Sequence, residues 1–223
     1  MDKKLFVQAI TKFVIGFIII ALLLFIPAGT LNYWNAWLFM CIFFVPIFIV
    51  GIILMIKNPE LLGKRLNSKE KESEQKTVLI LGGIMFVSGF VVSGLNYRFQ
   101  WIILPKWLIS LAAIVFLLAY IMYAEVLREN IYLSRTVEIQ ENQKVIDTGL
   151  YGIVRHPMYT STILLFLSIP LVLGSLFSFI IFLLYPIIMA KRIRNEEEVL
   201  EEGLEGYKEY KNKVKYKVIP FIW

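Results

Sequence analysis

The chain has 223 residues, 58% of them hydrophobic, and its mean hydropathy is +0.71. Because a soluble domain is usually about 45–50% apolar, this composition excludes an ordinary soluble protein and indicates an integral membrane protein. The formal net charge is +6, but the Lys and Arg residues are scattered among apolar segments, so we expect no nucleic-acid partner. The single cysteine, Cys41, excludes an intrachain disulfide and a Cys-rich metal site.

Four uncharged runs fill most of the first half of the chain. With its flanks, each approaches the roughly 20 residues that are needed to span hydrocarbon. They are Phe13–Ala28, Ala36–Ile56, Val78–Gly94 and Trp107–Ala124. The basic start of the chain resembles the first part of a signal peptide. We expect a retained helix there instead, because the segments that follow are also membrane segments.

The next uncharged run, Met158–Ala190, is too long for one ordinary span and somewhat short for two. Pro170 and Gly174 lie near its middle and predict a tight helical hairpin. The expected fold is therefore all-α, a polytopic integral membrane helical bundle of about five or six transmembrane helices including this C-terminal hairpin. Four long spans followed by a re-entrant hairpin would give the same sequence pattern.

The basic residues predict the orientation of the bundle. If the spans alternate in direction, 21 of the 23 Lys and Arg residues fall on one face, and only Arg98 and Lys106 fall on the other. This asymmetry predicts that both termini are cytoplasmic and that a site is built from the polar segments on the cytoplasmic face. We expect one domain over residues 1–223, with the first membrane helices in 1–127.

The stretch TGLYGIVRHPMYTST contains the only histidine of the chain, His156, and directly precedes the hairpin. Pro157 suits the first turn of a helix, where its missing N–H costs nothing. The simpler interpretation is a helix start with Arg155 extended along the membrane interface. The alternative is a polar ligand site that uses Arg155, His156 and the flanking Tyr151 and Tyr159.

A second polar segment, KRIRNEEEVLEEGLEGYKEY, follows the hairpin. At about 100° per residue its helical wheel forms one apolar stripe, made of Met189, Ile193, Leu200 and Leu204. Three charged residues lie in or beside that stripe, namely Glu196, Arg192 and Glu197. Five polar residues point away from it: Arg194, Asn195, Glu198, Glu201 and Glu202. A solvated, salt-bridged helix is the simpler interpretation, but buried charge must be paired or used, and this favours a site.

Several common site types are absent from the sequence. No GxGxxG motif opens a helix after a strand, so the usual dinucleotide-binding fold is excluded. A single histidine and a single cysteine provide no metal-ligand cluster, so we expect no metal. There is no GxSxG motif and no Ser-His-acid order typical of a hydrolase.

The stretch TGLYGIVRHPMY, followed after the hairpin by RIRNEEEVL and LEGYKEY, resembles the isoprenylcysteine carboxyl methyltransferase family. These are membrane enzymes that use S-adenosylmethionine, and they are related to the phospholipid N-methyltransferases. The resemblance is close over the last third of the chain, and NPELLGKRL is similar to bacterial members. It implies a multi-pass protein in the plasma (inner) membrane of a bacterium. The RHPxY motif alone is less specific, since membrane sterol reductases carry a similar one.

The resemblance implies a cytoplasmic cofactor site and a cofactor-binding and catalytic part over residues 128–223. It also implies roles for individual residues. The implied cofactor-binding residues are Gln143, Lys144, Val145, Ile146, Tyr151, His156, Pro157, Tyr159 and Glu196. The implied catalytic residues are Arg192, Glu197 and Arg155. The family's Gly-Tyr-x-x-Tyr pattern also falls on Gly206, Tyr207 and Tyr210. Ser161 stands where family members often have glycine, and it bears on the identity of the acceptor.

The resemblance implies methyl transfer from S-adenosylmethionine to a lipophilic acceptor taken from the bilayer, a carboxylate of the prenylcysteine type. An ionised carboxylate needs no base, only a cation such as Arg192 to orient it. A phospholipid amine is the alternative acceptor, and Glu197 would then be the base. A different class is an NADPH-dependent membrane reductase, although such reductases tend to have Asn where this chain has Met158. A non-enzymatic scaffold or transporter subunit would not need the inward charges.

Overall fold

The structure, a computed structural model, describes residues 3–66, 73–133 and 139–223, without the side chains of 73–75. The described residues form helices and the loops that connect them, and they contain no strand. In chain order the helices are α1 (Lys3–Ala28), α2 (Trp34–Lys57), α3 (Pro59–Leu66), α4 (Ser73–Phe99), α5 (Lys106–Glu129), α6 (Pro157–Val172), α7 (Leu176–Phe182), α8 (Leu184–Gly203) and α9 (Tyr207–Lys213). A short 3₁₀ turn at Gly149–Gly152 precedes α6.

Five helical segments are long and apolar enough to cross a membrane. They are α1, α2, the part of α4 from Lys76, α5, and α7 together with α8. The shorter apolar helix α6 is the other arm of the hairpin. The predicted fold class, a polytopic helical membrane bundle with a C-terminal hairpin, is therefore confirmed.

The hairpin turn lies between α6 and α7, at the predicted place. Gly174 has a φ of +76°, a left-handed conformation that glycine adopts without steric cost. The N–H of Ser175 donates to the carbonyl of Pro170 over 2.8 Å, and the Ser175 hydroxyl accepts from the N–H of Ser178. Pro170 itself lies in the last turn of α6, and the sharp reversal belongs to Gly174.

The second arm of the hairpin runs on into the charged segment. The break between α7 and α8 at Leu183 is local, and Pro186 accounts for it because proline has no N–H for the carbonyl of Phe182 and crowds that carbonyl. Helix α8 then continues from the membrane segment to Gly203. The lipid-facing arm and the helix that carries the polar motif are therefore one nearly continuous rod.

The connections α1–α2, α4–α5 and α6–α7 meet at one end of the bundle. The Tyr33 hydroxyl donates to the carbonyl of Leu173 over 2.6 Å, and the Asn35 amide donates to that of Val172 over 2.9 Å. The Asn96 amide reaches the carbonyl of Gly174 over 3.2 Å. Alternating directions thus place the polar segments at the opposite end. That this end is cytoplasmic stays a prediction.

Close helix contacts in the membrane part depend on small residues. A Cβ on Gly94 would stand 2.6 Å from the carbonyl oxygen of Leu24, so only glycine lets α4 approach α1 at this level. Phe39, Phe116 and Phe182 are fully buried in the same hydrophobic core as Leu24. Because α6 also packs along α5, the start of α6 has a fixed position relative to the end of α5.

Candidate active site

A cleft opens at the end of the bundle that lies opposite the hairpin turn. The space inside it that water can occupy is about 100 Å³. It lies where α5 ends, α6 begins and α8 ends. The lining residues are Asn130, Tyr132, Leu133, Gln143, Lys144, Val145, Ile146, Tyr151, Arg155, His156, Met158, Tyr159, Arg192, Glu196, Val199, Leu200, Leu204, Tyr207 and Tyr210.

The Arg155–His156 pair is held by the C-terminal strap, which we define as residues 214–218. Pro157 is the first residue of α6, as its sequence position predicted. The N–H of Arg155 donates to the carbonyl of Tyr216 over 2.9 Å, and the N–H of His156 donates to that of Lys217 over 2.8 Å. The Arg155 guanidinium also donates to the carbonyls of residues 214 and 215. The backbone of the motif is therefore fixed from outside the hairpin.

Glu197 lies behind the cleft wall, with charged partners on both of its oxygens. Oε1 is 2.8 Å from Nε of Arg155 and 3.2 Å from Nε2 of His156. Oε2 is 2.7 Å from Nζ of Lys217. The side chains of Arg155 and Glu197 are each only 4% exposed, so the pairing offsets a large desolvation cost.

The neighbouring carboxylate, Glu196, faces the cleft and belongs to a second chain of hydrogen bonds. Nε of Arg192 donates to the hydroxyl of Tyr159 over 2.8 Å, and that hydroxyl donates to Oε2 of Glu196. Both Arg192 and Tyr159 are buried. The wall of the cleft thus contains a cation, a hydroxyl and a carboxylate in one connected row.

Residues 143–146 and three tyrosines also line the cleft. The Tyr151 hydroxyl accepts from the amide of Asn130 over 2.9 Å, and the Tyr210 hydroxyl donates to the carbonyl of Tyr151 over 2.7 Å. The hydroxyl of Tyr207 is buried and has no partner among the described residues. Burial raises the pKa of Tyr151, Tyr207 and Tyr210 above the ordinary value, so the three hydroxyls stay neutral.

The structure brings most of the predicted site residues to this cleft. Among the predicted cofactor-binding residues, Pro157 is the exception: it is buried at the start of α6 and is absent from the lining. Among the predicted catalytic residues, Arg155 and Arg192 line the cleft, whereas Glu197 does not. Their roles in binding and catalysis stay predictions.

The helical wheel of α8 separates buried from exposed charge largely as predicted. Arg192 and Glu197 are buried, while Arg194, Glu198 and Glu202 are exposed. Two residues depart from the prediction, since Asn195 and Glu201 are only half exposed. Glu201 forms an ion pair with Lys211. The carboxylate faces α9, an element that the wheel of a single helix does not include.

Two parts of the site show no pattern in the sequence that would predict them. Lys217 lies in the basic run KNKVKYK, where nothing distinguishes it from a solvated lysine. Asn130 and Tyr132 lie just after α5 and show no motif. Tyr207 and Tyr210 did carry a signal, the Gly-Tyr-x-x-Tyr pattern.

Within the described residues, no group of three His, Cys, Asp or Glu side chains is placed to hold a metal.

Comparison with known proteins bears on the family of the chain. The family model described as "Isoprenylcysteine carboxyl methyltransferase (ICMT) family" matches residues 107–202, and it confirms the resemblance seen in the motifs. The Delta(14)-sterol reductase TM7SF2 of Mus musculus is 26% identical over 91 residues, which are 40% of this chain. Those residues are 22% of the reductase, so the chain spans about a fifth of this curated relative. The matched family segment runs from the start of α5 to the end of α8.

Proposed function

We propose that this protein transfers a methyl group from S-adenosylmethionine to a carboxylate on a lipid or isoprenoid acceptor taken from the bilayer. The premise is the match of residues 107–202 to the ICMT family, which implies a membrane methyltransferase. The observation that carries the proposal is the buried Arg192 on the cleft wall, held by Tyr159 at the end of a membrane hairpin. A cation at this place can bind an acidic group whose tail lies in the membrane.

The cleft has the side chains that S-adenosylmethionine requires. When bound, this cofactor supplies an electrophilic methyl group on a sulfonium cation. Aromatic faces favour a cation, and the cleft offers rings from Tyr151, Tyr207 and Tyr210. Glu196 adds a carboxylate on the facing wall, and the unpartnered hydroxyl of Tyr207 provides a hydrogen-bond group for a ligand. We propose that residues 143–146, with His156 and Tyr159, complete the cofactor site.

The chemistry of the acceptor follows from which residues reach the cleft. A carboxylate is already ionised at neutral pH and needs orientation, not a base. The guanidinium of Arg192 suits this task because it binds a carboxylate with two parallel hydrogen bonds. An amine acceptor would need a base, but both oxygens of Glu197 are already paired with cations. These contacts support a carboxylate acceptor over a phospholipid amine.

The test is isotope transfer in the purified protein. Labelled S-adenosylmethionine is incubated with the protein and with membrane lipids or prenylated peptides, and products are identified by mass spectrometry. We expect a labelled methyl ester that alkaline hydrolysis releases. Label on a nitrogen would overturn the carboxylate assignment, and binding of NADPH without any binding of the methyl donor would overturn the methyltransferase assignment.

A reductase is the second candidate, and the match to a sterol reductase favours it. That match covers only about a fifth of the reductase. Oxidation of NADPH in the presence of membrane lipids measures this activity directly. Arg192→Ala, which we expect to abolish methyl transfer, is assayed beside the wild type as the matched control.

A further inference from the structure

The ring of His156 lies between two carboxylates of different character. Its Nε2 is 3.2 Å from Oε1 of Glu197, within hydrogen-bond distance. Its Nδ1 is 3.9 Å from Oε1 of Glu196, which is beyond that distance. Glu196 lines the cleft and Glu197 does not, so Nδ1 lies on the cleft side of the ring. The side chain of His156 is only 5% exposed.

The partners of Glu197 decide which nitrogen of the ring carries the hydrogen. A carboxylate that faces Arg155 on one oxygen and Lys217 on the other is ionised and accepts hydrogen bonds only. A lone pair on Nε2 would be repelled by Oε1, so Nε2 must donate. A neutral imidazole has a single N–H, and Nδ1 is then an acceptor.

We propose that Glu197 and Lys217 are positioning residues that hold His156 as the Nε2–H tautomer, so that Nδ1 accepts a hydrogen bond from a hydroxyl or ammonium group of a ligand in the cleft. Within the described residues, no side chain donates to Nδ1, which leaves this acceptor for a ligand. Only the identity of the ligand rests on the proposed function: S-adenosylmethionine offers both ribose hydroxyls and an ammonium group.

Lys217 acts on His156 in two ways. Its carbonyl accepts the backbone N–H of His156 over 2.8 Å, and its ammonium neutralises the carboxylate that accepts from the ring. The ammonium also lies 6.0 Å from the ring centre of Trp223, a cation–π contact that restricts its position. The strap thereby fixes the backbone and the ring partner of the same histidine.

The test uses the fact that the chain has one histidine. Protein labelled with ¹⁵N-histidine in detergent gives the spectrum of His156 alone, and correlations to the ring carbon-bound protons assign each nitrogen. The spectrum is recorded without ligand at mildly alkaline pH. We expect the hydrogen on Nε2 and none on Nδ1. A hydrogen on Nδ1, alone or with Nε2, overturns the proposal.

Variants test the positioning residues. Without the ammonium of Lys217, Oε2 of Glu197 loses its partner and the carboxylate can turn away from the ring. We therefore expect Lys217→Met to mix the two tautomers and to weaken binding of S-adenosylhomocysteine roughly threefold to tenfold, the loss of one hydrogen bond. Lys217→Arg should restore the single tautomer and the binding of S-adenosylhomocysteine. The control Lys208→Met, which removes an exposed ammonium on α9, should change neither the tautomer nor the binding. A wild-type tautomer in folded Lys217→Met overturns the role of Lys217. If S-adenosylhomocysteine does not bind at all, the proposed function fails, but the tautomer measurement still decides the inference.

Discussion

The guanidinium of Arg192 donates to the hydroxyl of Tyr159 over 2.8 Å and so joins α8 to the first turn of α6. The two arms of the hairpin are thus tied at the site as well as at the turn around Gly174. Because the hydroxyl of Tyr159 also donates a hydrogen bond to Glu196, the positions of the Arg192 guanidinium and the Glu196 carboxylate depend on each other. A change at any of these three residues should therefore affect the other two.

Removing the inward cation should abolish activity, whereas removing outward acids should not. We expect Arg192→Ala to lower kcat/KM at least tenfold to a hundredfold, since a charge-assisted hydrogen bond contributes about 1.5–3 kcal/mol. Glu198→Ala and Glu202→Ala, exposed on the same helix, are the matched controls and should stay near the wild-type rate. The measurement is methyl transfer by each variant after its folding is verified. Full activity of Arg192→Ala would show that Arg192 does not orient the acceptor.

Glu197 should be needed for stability more than any other acid of α8. Glu197→Ala leaves Arg155 buried without its carboxylate, and breaking such a pair costs about 3–5 kcal/mol. Glu201→Ala removes a half-exposed pair with Lys211 and should cost at most about 1 kcal/mol. Thermal unfolding in detergent measures both. Similar losses of Tm for the two variants would contradict the buried network.

The unpartnered hydroxyl of Tyr207 should matter for a ligand and not for folding. Tyr207→Phe removes a buried group that has no partner among the described residues, so we expect the Tm to stay the same or rise slightly. Binding of S-adenosylhomocysteine should weaken roughly threefold to tenfold, measured by calorimetry. Tyr210→Phe is the contrasting variant, because it loses the hydrogen bond to Tyr151 and should lower the Tm. Unchanged binding by Tyr207→Phe would place the ligand elsewhere.

Alkaline pH should destabilise the cleft through its tyrosines. Burial raises the pKa of Tyr151, Tyr207 and Tyr210 in the folded chain above the unfolded value of about 10. Above that pH the unfolded state loses protons that the folded state retains. The stabilisation is thus complete below about pH 10 and decreases as the pH rises further. We expect the Tm to fall above this pH, and to fall less steeply in Tyr207→Phe; equal slopes would contradict the burial of this hydroxyl.

Both termini should be cytoplasmic. The end of the bundle opposite the hairpin turn contains most of the basic residues, and positive segments stay on the cytoplasmic side. Single cysteines introduced at Trp223 and at Lys106, in a chain without Cys41, should react oppositely with a membrane-impermeant thiol reagent applied outside cells. Labelling at Trp223 and protection at Lys106 would show the reverse orientation.

Hydropathy was enough to predict the fold, and helical periodicity was enough to predict which charged side chains of α8 are buried. Uncharged runs located the membrane segments because lipid-facing backbone must be helical. The wheel of α8 correctly separated Arg192 from Arg194. It could not show that Glu196 and Glu197, neighbours in sequence, bind different partners. That difference depends on the C-terminal strap. The strap holds Arg155 and His156 through backbone carbonyl groups, which every residue has, and pairs Glu197 with Lys217, a lysine that looks like any other in a basic run.

The nearly continuous rod of α7 and α8 sets the depth at which the proposed reaction would take place. From Leu176 to Arg192 the rod rises about 24 Å, at about 1.5 Å per residue, against roughly 30 Å of hydrocarbon. With the hairpin turn at one boundary of the hydrocarbon, Arg192 would lie near the other boundary, the level at which an acidic group on a membrane-embedded tail resides. In the proposed reaction the acceptor would then receive the methyl group without leaving the bilayer, and the height of this one helix would set the tail length that fits.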